Sequence, residues 1–387
     1  MTAAQLAAPL IDRVRERLAA EPGPLRPAVV AAAIRAESGG VLGDTEVLAG
    51  LRLLQTELTG AGPLDPLLAR PGVTDVLVSG PDSVWVDDGN GLARSTIRFD
   101  DEAAVRRLAQ RLALAAGKRL DDAQPWVDGL LTGCGRHPVR LHAVLPPIAT
   151  DGTAISLRVL RPAEQSLAAL VAAGSIAAPA AALLGRVIRA RLALVVTGGT
   201  GAGKTTLLAA LLAEVPPGER IVCVEDAAEL APPHPHLVRL VARGPNIEGA
   251  GEITVRQLVR QALRMRPDRI VVGEVRGAEV VDLLGALNTG HDGGAGTVHA
   301  NSPAELPARL EALAALGGLD RAALHSQLAA AIRVVVHLGR DRAGRRRLTE
   351  IAVLRPDGGI ATAWHVERGR GPGADHLDAL IRAGEPR

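Results

Sequence analysis

Apolar positions along this chain change their period several times, and each change marks a new region. Residues 1–60 carry apolar positions at helical spacing, broken at Glu21-Pro22-Gly23-Pro24, and predict two amphipathic helical pieces. From Ala61 the spacing shortens. Residues 73–79 read as a strand, and 84–86 and 92–99 flank Asp87-Asp88-Gly89-Asn90-Gly91, a hairpin signal. Asp100 and Asp101 precede a helix with Val105, Leu108 and Leu112 on one face, where an aspartate side chain accepts from the free N–H groups of the first turn. Residues 140–144 and 154–159 are further strands around Pro146-Pro147. Together these make a small α+β domain over residues 61–160.

A strand–helix alternation then sets in. Residues 192–196, 221–224, 270–272 and 296–299 are short apolar or β-branched runs, the form of parallel strands buried on both faces. Thr254 with Gln257, and Ser302-Pro303 with Glu305, read as capping boxes. Residues 333–354 read as a hairpin turning near Gly344, and no internal repeat is visible. The uncharged stretch 166–185 is about as long as a membrane-spanning helix. It is mostly alanine, however, and Gly174-Ser175 and Pro179 interrupt it, so it reads as two short helices at a domain junction. The expected organisation is a helical extension over 1–60, the α+β domain over 61–160, linker helices over 161–185 and an α/β domain over 186–387.

Composition narrows the possible functions. A hydrophobic content of 47% supports two cores, but aromatic residues are only 1%, namely Trp85, Trp126, Trp364 and Phe99, so aliphatic side chains do the packing. That scarcity argues against single strands stacking on aromatic platforms, and a net charge of +2 argues against a DNA-wrapping surface. Direct nucleic-acid binding is therefore not expected. Cys134 and Cys223 are too few for a disulfide framework or a four-cysteine zinc site, and Cys223 sits in an apolar run as a buried small hydrophobe would. Charged residues arrive early (Asp12, Arg13, Arg15), leaving no apolar signal core, which places the expected location in the cytoplasm.

Basic chemistry rests almost wholly on arginine; the lysines are Lys118 and Lys204. Lys204 closes the run Gly198-Gly199-Thr200-Gly201-Ala202-Gly203-Lys204-Thr205, a complete phosphate-loop pattern continued by Thr206. The glycines let backbone N–H groups wrap a phosphate chain, and a slim ammonium can thread into the loop where a planar guanidinium is too broad. Thr205 supplies a hydroxyl for Mg²⁺. A strand ahead of the loop and a helix over 206–214, its N-terminus toward the anion, complete the signal, which implies binding of ATP or GTP.

Two strand ends carry acids. Val224 runs into Glu225 and Asp226, with Glu229 a turn later, and Val271-Val272-Gly273 runs into Glu274, a Walker B pattern ending in glutamate. Carboxylates at the strand ends of an open α/β sheet can hold Mg²⁺ through water or orient the attacking water. Glycines between Thr289 and His299 make a pliable loop, and His291 and His299 are each a γ-phosphate reporter or a structural hydrogen-bonder. His234-Pro235-His236 lacks a third ligand and reads as a surface turn. A P-loop small-molecule kinase fits the loop but gives the histidine segment and the first domain no role, and the Leu-Ser-Gly-Gly signature of ABC transporters does not occur.

The boxes in this order resemble the secretion-ATPase superfamily of type II secretion, type IV pili and type IV secretion. They are the phosphate loop, Val224-Glu225-Asp226-Ala227-Ala228-Glu229-Leu230 as Asp box, Arg264-Met265-Arg266-Pro267-Asp268-Arg269 leading to Glu274 as Walker B, and Thr289-Gly290-His291-Asp292 to His299-Ala300-Asn301 as His box. Gly62-Pro63-Leu64-Asp65-Pro66-Leu67-Leu68 and Arg140-Leu141-His142-Ala143 resemble the tight-adherence (Tad/Flp) pilus branch most. The resemblance implies a RecA-like P-loop ATPase domain behind a smaller PAS-like α+β domain. It also implies a homo-hexamer, ATP and Mg²⁺ as cofactors, and an integral-membrane platform protein as partner at the inner face of the cytoplasmic membrane. Type IV secretion or conjugation, moving protein or DNA, is the neighbouring alternative. Carried over by residue, Lys204 and Thr205 hold phosphate and metal, with Glu225 and Asp226 as further candidates on the metal side. Glu229 and Glu274 share water activation and metal positioning, and His299 senses the γ-phosphate. Arg140 and Arg158 are candidate arginine fingers. The zinc motif of the type II and pilus-extension branches is missing, and Thr132-Gly133-Cys134-Gly135-Arg136-His137-Pro138 departs from the usual Asp-Gly turn.

Overall fold

The computed structural model describes residues 60–385 except 90, 133, 247, 248 and 356, together with 10, 13, 14, 17, 27–39, 43 and 47. The expected break at Glu21-Pro22-Gly23-Pro24 lies outside the described residues; a helix covers Pro27–Glu37. Contacts divide the chain into two units, Met1–Arg161 and Pro162–Arg387.

In the first unit six antiparallel strands form one sheet: β1 (Asp75–Ser79), β2 (Val84–Asp87), β3 (Leu92–Arg94), β4 (Trp126–Leu131), β5 (Val139–Val144) and β6 (Ala154–Val159), in the order β3-β2-β1-β6-β5-β4. Alternation decides which face is buried. On β5, Val139, Leu141 and Ala143 point inward while His142 faces water. The helix Glu102–Ala115 lays Val105, Leu108 and Leu112 into the core those residues build. Asp101 caps it as expected, accepting from the Ala104 N–H at 2.7 Å.

Two expectations here need correction. The second hairpin strand stops at Arg94 instead of continuing to residue 99, because β2 offers only four residues to pair. Beyond it the Ser95 N–H bonds Val84 O and the Phe99 N–H bonds Pro81 O. β4 was absent from the pattern reading; Asp128-Gly129 interrupts its apolar run, yet it pairs along its whole length with β5.

The second unit holds β7 (Leu194–Gly198), β8 (Ile221–Glu225), β9 (Leu237–Val241), β10 (Arg269–Val272), β11 (Ala295–Val298), β12 (Val334–Arg340), β13 (Arg346–Leu354), β14 (Ile360–His365) and β15 (Gly369–Arg370). They form one nine-stranded sheet in the order β15-β14-β13-β12-β7-β11-β10-β8-β9. From β12 to β9 all neighbours are parallel, and β13 to β15 add an antiparallel flank.

Both faces are covered, so β7, β8, β10 and β11 are buried throughout. Successive residues feed opposite cores. Leu194 and Val196 join Leu184 and Leu208, from the helices Ala178–Arg189 and Lys204–Leu212, on one side. Val195 joins Val259, Leu284 and Leu310, from Val255–Ala262, Glu279–Leu287 and Leu306–Leu316, on the other.

The uncharged stretch forms two short helices, Leu167–Ala172 and Ala178–Arg189, separated at Gly174 (φ +71°) and opened by Ser166, which accepts from the Ala169 N–H. Among the described residues no helix is long and apolar enough to cross a membrane. Thr254 and Gln257 make the expected reciprocal capping box. Ser302 and Glu305 do not. A 3₁₀ turn, Pro303–Glu305, occupies that place, and Glu305 accepts from the Asn301 backbone and side-chain N–H groups. The helix after the phosphate loop starts at Lys204, two residues ahead of its expected start. The hairpin turning at Gly344 is present, and β14, β15 and a last helix, Ala374–Gly384, extend it.

Arg269 fastens the lower end of β10. Its guanidinium is fully buried, donating to Glu219 at 2.7 Å and to the Ile188 carbonyl at 2.8 Å. Glu219 also faces Arg191 at 3.6 Å.

Candidate active site

Parallel strands end at one edge of the sheet, and there the chain gathers its chemistry. β7 ends in the phosphate loop, β8 in Glu225 and Asp226, β10 just before Gly273 and Glu274, and β11 just before His299. His299 therefore lies past its strand, not within it as the 296–299 run suggested.

Conformation explains three of the four loop glycines. Gly198 (φ +149°), Gly201 (φ +66°) and Gly203 (φ +95°) occupy backbone regions that side chains disfavour, and a Cβ at Gly198 would stand 2.6 Å from Leu338 O. Gly199 has nothing within 4 Å on its open side. Lys204 is 7% exposed; its Nζ donates to Gly198 O at 3.1 Å and Gly199 O at 3.0 Å. Burial holds this ammonium below its ordinary pKa, while Glu274 and Glu229 pull the other way. A cradle that only glycine can form, closed by a buried cation at a helix N-terminus, fits a phosphate chain.

Lys204 leads into a chain of polar contacts. His299 Nε2 lies 3.3 Å from Lys204 Nζ and 2.7 Å from Glu274 Oε1. One ring nitrogen cannot donate to the carboxylate and accept from the ammonium at once, so the tautomer decides which neighbour it serves. Burial first, then Lys204, keeps the His299 pKa below its ordinary value. Glu274 also accepts from Arg276 Nε at 2.6 Å. Arg276 was missed in the sequence, although in an extended segment a residue two places on shares a side with Glu274.

Glu225 turns inward. Its Oε1 accepts from the N–H groups of Glu229 (3.2 Å) and Leu230 (2.9 Å), while Oε2 is buried without a hydrogen-bond partner among the described residues. Gly273 makes the room: a Cβ there would lie 2.7 Å from Glu225 Cγ. Burial pushes this carboxyl up to about 7. Asp226 is exposed and Glu229 half-buried on the turn that Glu225 fastens.

No group of three or more His, Cys, Asp or Glu side chains suited to a metal occurs among the described residues. Thr205 and Glu274 match the sparse protein donor set of Mg²⁺, which takes most of its ligands from phosphate and water. His291 reaches the Ala286 carbonyl at 3.2 Å, a structural bond, and His234 and His236 contact Pro216 O and Arg220. Arg140 and Arg158 belong to the first unit, on neighbouring strands, each held by a carboxylate of its own sheet: Arg140 by Asp128 at 2.7 Å and Arg158 by Asp75 at 2.9 Å.

A family model described as Type II/IV secretion system protein matches residues 57–370. Over 348 residues the chain is 74% identical to a protein of Mycobacterium tuberculosis (strain CDC 1551 / Oshkosh) provisionally described as a conjugal transfer protein; the match covers 89% of this chain and 99% of that one. It is 33% identical over 262 residues to the type IV secretion system protein PtlH of Bordetella pertussis (strain Tohama I), covering 62% of this chain and 76% of the relative. Among solved structures, the pilus retraction motor PilT with bound ADP shares the fold, with a TM-score of 0.53 at 21% identity over 75% of this chain and 81% of that one.

Proposed function

This chain belongs to the type II/IV secretion system protein family, and from that membership we propose that it is an ATP-hydrolysing motor. The observation that carries the reading is the run of contacts from the phosphate loop through Lys204 and His299 to Glu274 and Arg276. This run is suited to meet the terminal phosphate of a triphosphate held by the loop.

Lys204 and the loop amides would hold the phosphates of ATP, and Thr205 and Glu274 would hold Mg²⁺, which would supply charge neutralisation at the phosphates. Glu274 and Glu229 are the acids able to orient water. His299 exchanges Lys204 for the γ-phosphate, which ties nucleotide state to the Glu274 hydrogen bond. Arg140 and Arg158 are proposed as the cations that neutralise transition-state charge. The functional division proposed is an extension over 1–60, a PAS-like domain over 61–160, linker helices over 161–185 and a RecA-like ATPase domain over 186–387, although the second linker helix runs on to Arg189.

At the level of the assembly we propose a homo-hexamer acting at the inner face of the cytoplasmic membrane on an integral-membrane platform. Motifs at 62–68 and 140–143 support a tight-adherence pilus as the machine served. The descriptions of the M. tuberculosis and B. pertussis relatives support the second reading, conjugal or type IV secretion.

Steady-state ATPase assays with gel filtration test the motor. Lys204→Ala is expected to abolish turnover, and Glu274→Gln to retain ATP binding while losing two or more orders of magnitude in kcat, as loss of a water-positioning group does. A monomer hydrolysing ATP at full rate would sink the proposal. Purification from membranes with identification of the bound membrane protein separates the two machines.

A further inference from the structure

Five arginines crowd the hairpin from β12 to β13: Arg340, Arg342, Arg345, Arg346 and Arg347. β12 runs parallel to β7 with Leu338 level with Gly198, so this hairpin leaves the sheet at the edge where the phosphate loop begins. In sheet order it lies on the side of β7 away from β10 and Glu274.

The partners of these arginines differ. Asp341 takes Arg345 at 2.9 Å and Arg347 at 3.4 Å. Arg340 donates to Gly344 O at 2.9 Å, closing the hairpin tip, and reaches Gly201 O of the phosphate loop at 3.5 Å. Arg346 stands directly opposite Arg340 in the register and is exposed, and its side chain has no ion pair or hydrogen bond among the described residues. Its side chain passes over Gly203, the residue that opens the Lys204–Leu212 helix, with Cδ 3.8 Å from where a Cβ would stand. Like charges directly opposite on paired strands repel. Here both cations overhang a helix N-terminus that already holds Lys204, and the acid of the hairpin is committed elsewhere. An anion on the loop relieves the repulsion.

Resting on the nucleotide reading above, we propose that Arg346 is a further phosphate-contacting residue, closing over the loop from the side opposite Glu274, with Arg340 fastening its hairpin to Gly201. A planar fork suits this place because it can meet two phosphate oxygens at once, from outside the loop that Lys204 fills from within.

Isothermal titration of the full chain with ATP and with tripolyphosphate tests the assignment. Wild type, Arg346→Ala, Arg346→Lys and Arg342→Ala are compared at one ionic strength. Arg346→Ala is expected to weaken both ligands by on the order of tenfold to a hundredfold, the worth of a charge-assisted hydrogen bond. Arg346→Lys recovers part of that loss, and Arg342→Ala, which removes another exposed cation of the same tip, binds as wild type does. Unchanged binding by Arg346→Ala, or an equal loss in Arg342→Ala, overturns the proposal. A loss for ATP with none for tripolyphosphate also overturns it, since the contact would then be with the base or sugar. If the wild type binds neither ligand, the nucleotide reading itself fails, and that is visible before any variant is made.

Discussion

Glu225 is 4% exposed at a strand end where the next residue, Asp226, already faces water. A carboxyl pushed up to about 7 from an ordinary 4.5 is neutral in the folded chain over a range where the unfolded chain ionises it. The sign follows from linkage: its contribution to stability is complete below the unfolded value of about 4.5 and is lost as pH rises through about 7. Glu225→Gln keeps the acceptor for Glu229 and Leu230 and removes the titration. Thermal melts should therefore show the variant gaining on the wild type as pH rises across that window, by at most about 1.4 kcal/mol per pH unit. A difference that stays flat with pH would refute the buried, protonated Glu225. What was legible of the candidate site is the part that is local in sequence. The loop glycines, the strand-end acids and His299 stand in short patterns with their own chemical logic. Arg276 needed only the two-residue alternation of an extended segment. Arg340 and Arg346 were beyond reach, because the Arg340 contact with Gly201 spans 139 positions and exists only through the pairing of β12 with β7.

Elements depend on anchors that the apolar pattern does not show. β10 delivers Gly273 and Glu274 to the functional edge, and its opposite end is held by the fully buried Arg269. Arg269→Ala leaves Glu219 with only the longer Arg191 contact and takes the side-chain donor from the Ile188 carbonyl, which keeps the Arg191 N–H at 3.1 Å, so it should destabilise the chain by about 3–5 kcal/mol, the range for breaking a buried pair. Arg269→Met, which restores packing volume, should recover part of that; urea midpoints decide, and an Ala variant within experimental error of wild type would show the pair to be dispensable. Strands buried on both faces announced themselves as apolar runs, which is why β7, β8, β10 and β11 could be read. β4 and β9 escaped because polar residues interrupt them: Asp128-Gly129 breaks the first, and Arg239 breaks the second, which lies at the sheet edge and is only partly covered. The capping box expected at Ser302 failed because Pro303 opens a 3₁₀ turn and Asn301, one residue earlier, takes the Glu305 carboxylate.

At the scale of the molecule, one sheet edge collects strand ends separated by more than a hundred residues, and the first unit builds its own core around an independent antiparallel sheet. Arginine supplies nearly every cation in both units, which gives the chain an unusual relation to lysine-specific reagents. An endoproteinase that cuts after lysine has two addresses here, Lys118 and Lys204, and they are not equivalent. Cleavage after Lys204 requires the buried first turn of the Lys204–Leu212 helix to unfold into the protease, so under native conditions that cut reports opening of the phosphate loop. Bound ATP should suppress it while leaving the Lys118 cut unchanged, as read from fragment masses over time. Equal protection at both positions would mean that nucleotide stiffens the chain in general. The near-absence of one amino acid thus makes the native protein its own footprint, with Lys204 as reporter and Lys118 as control.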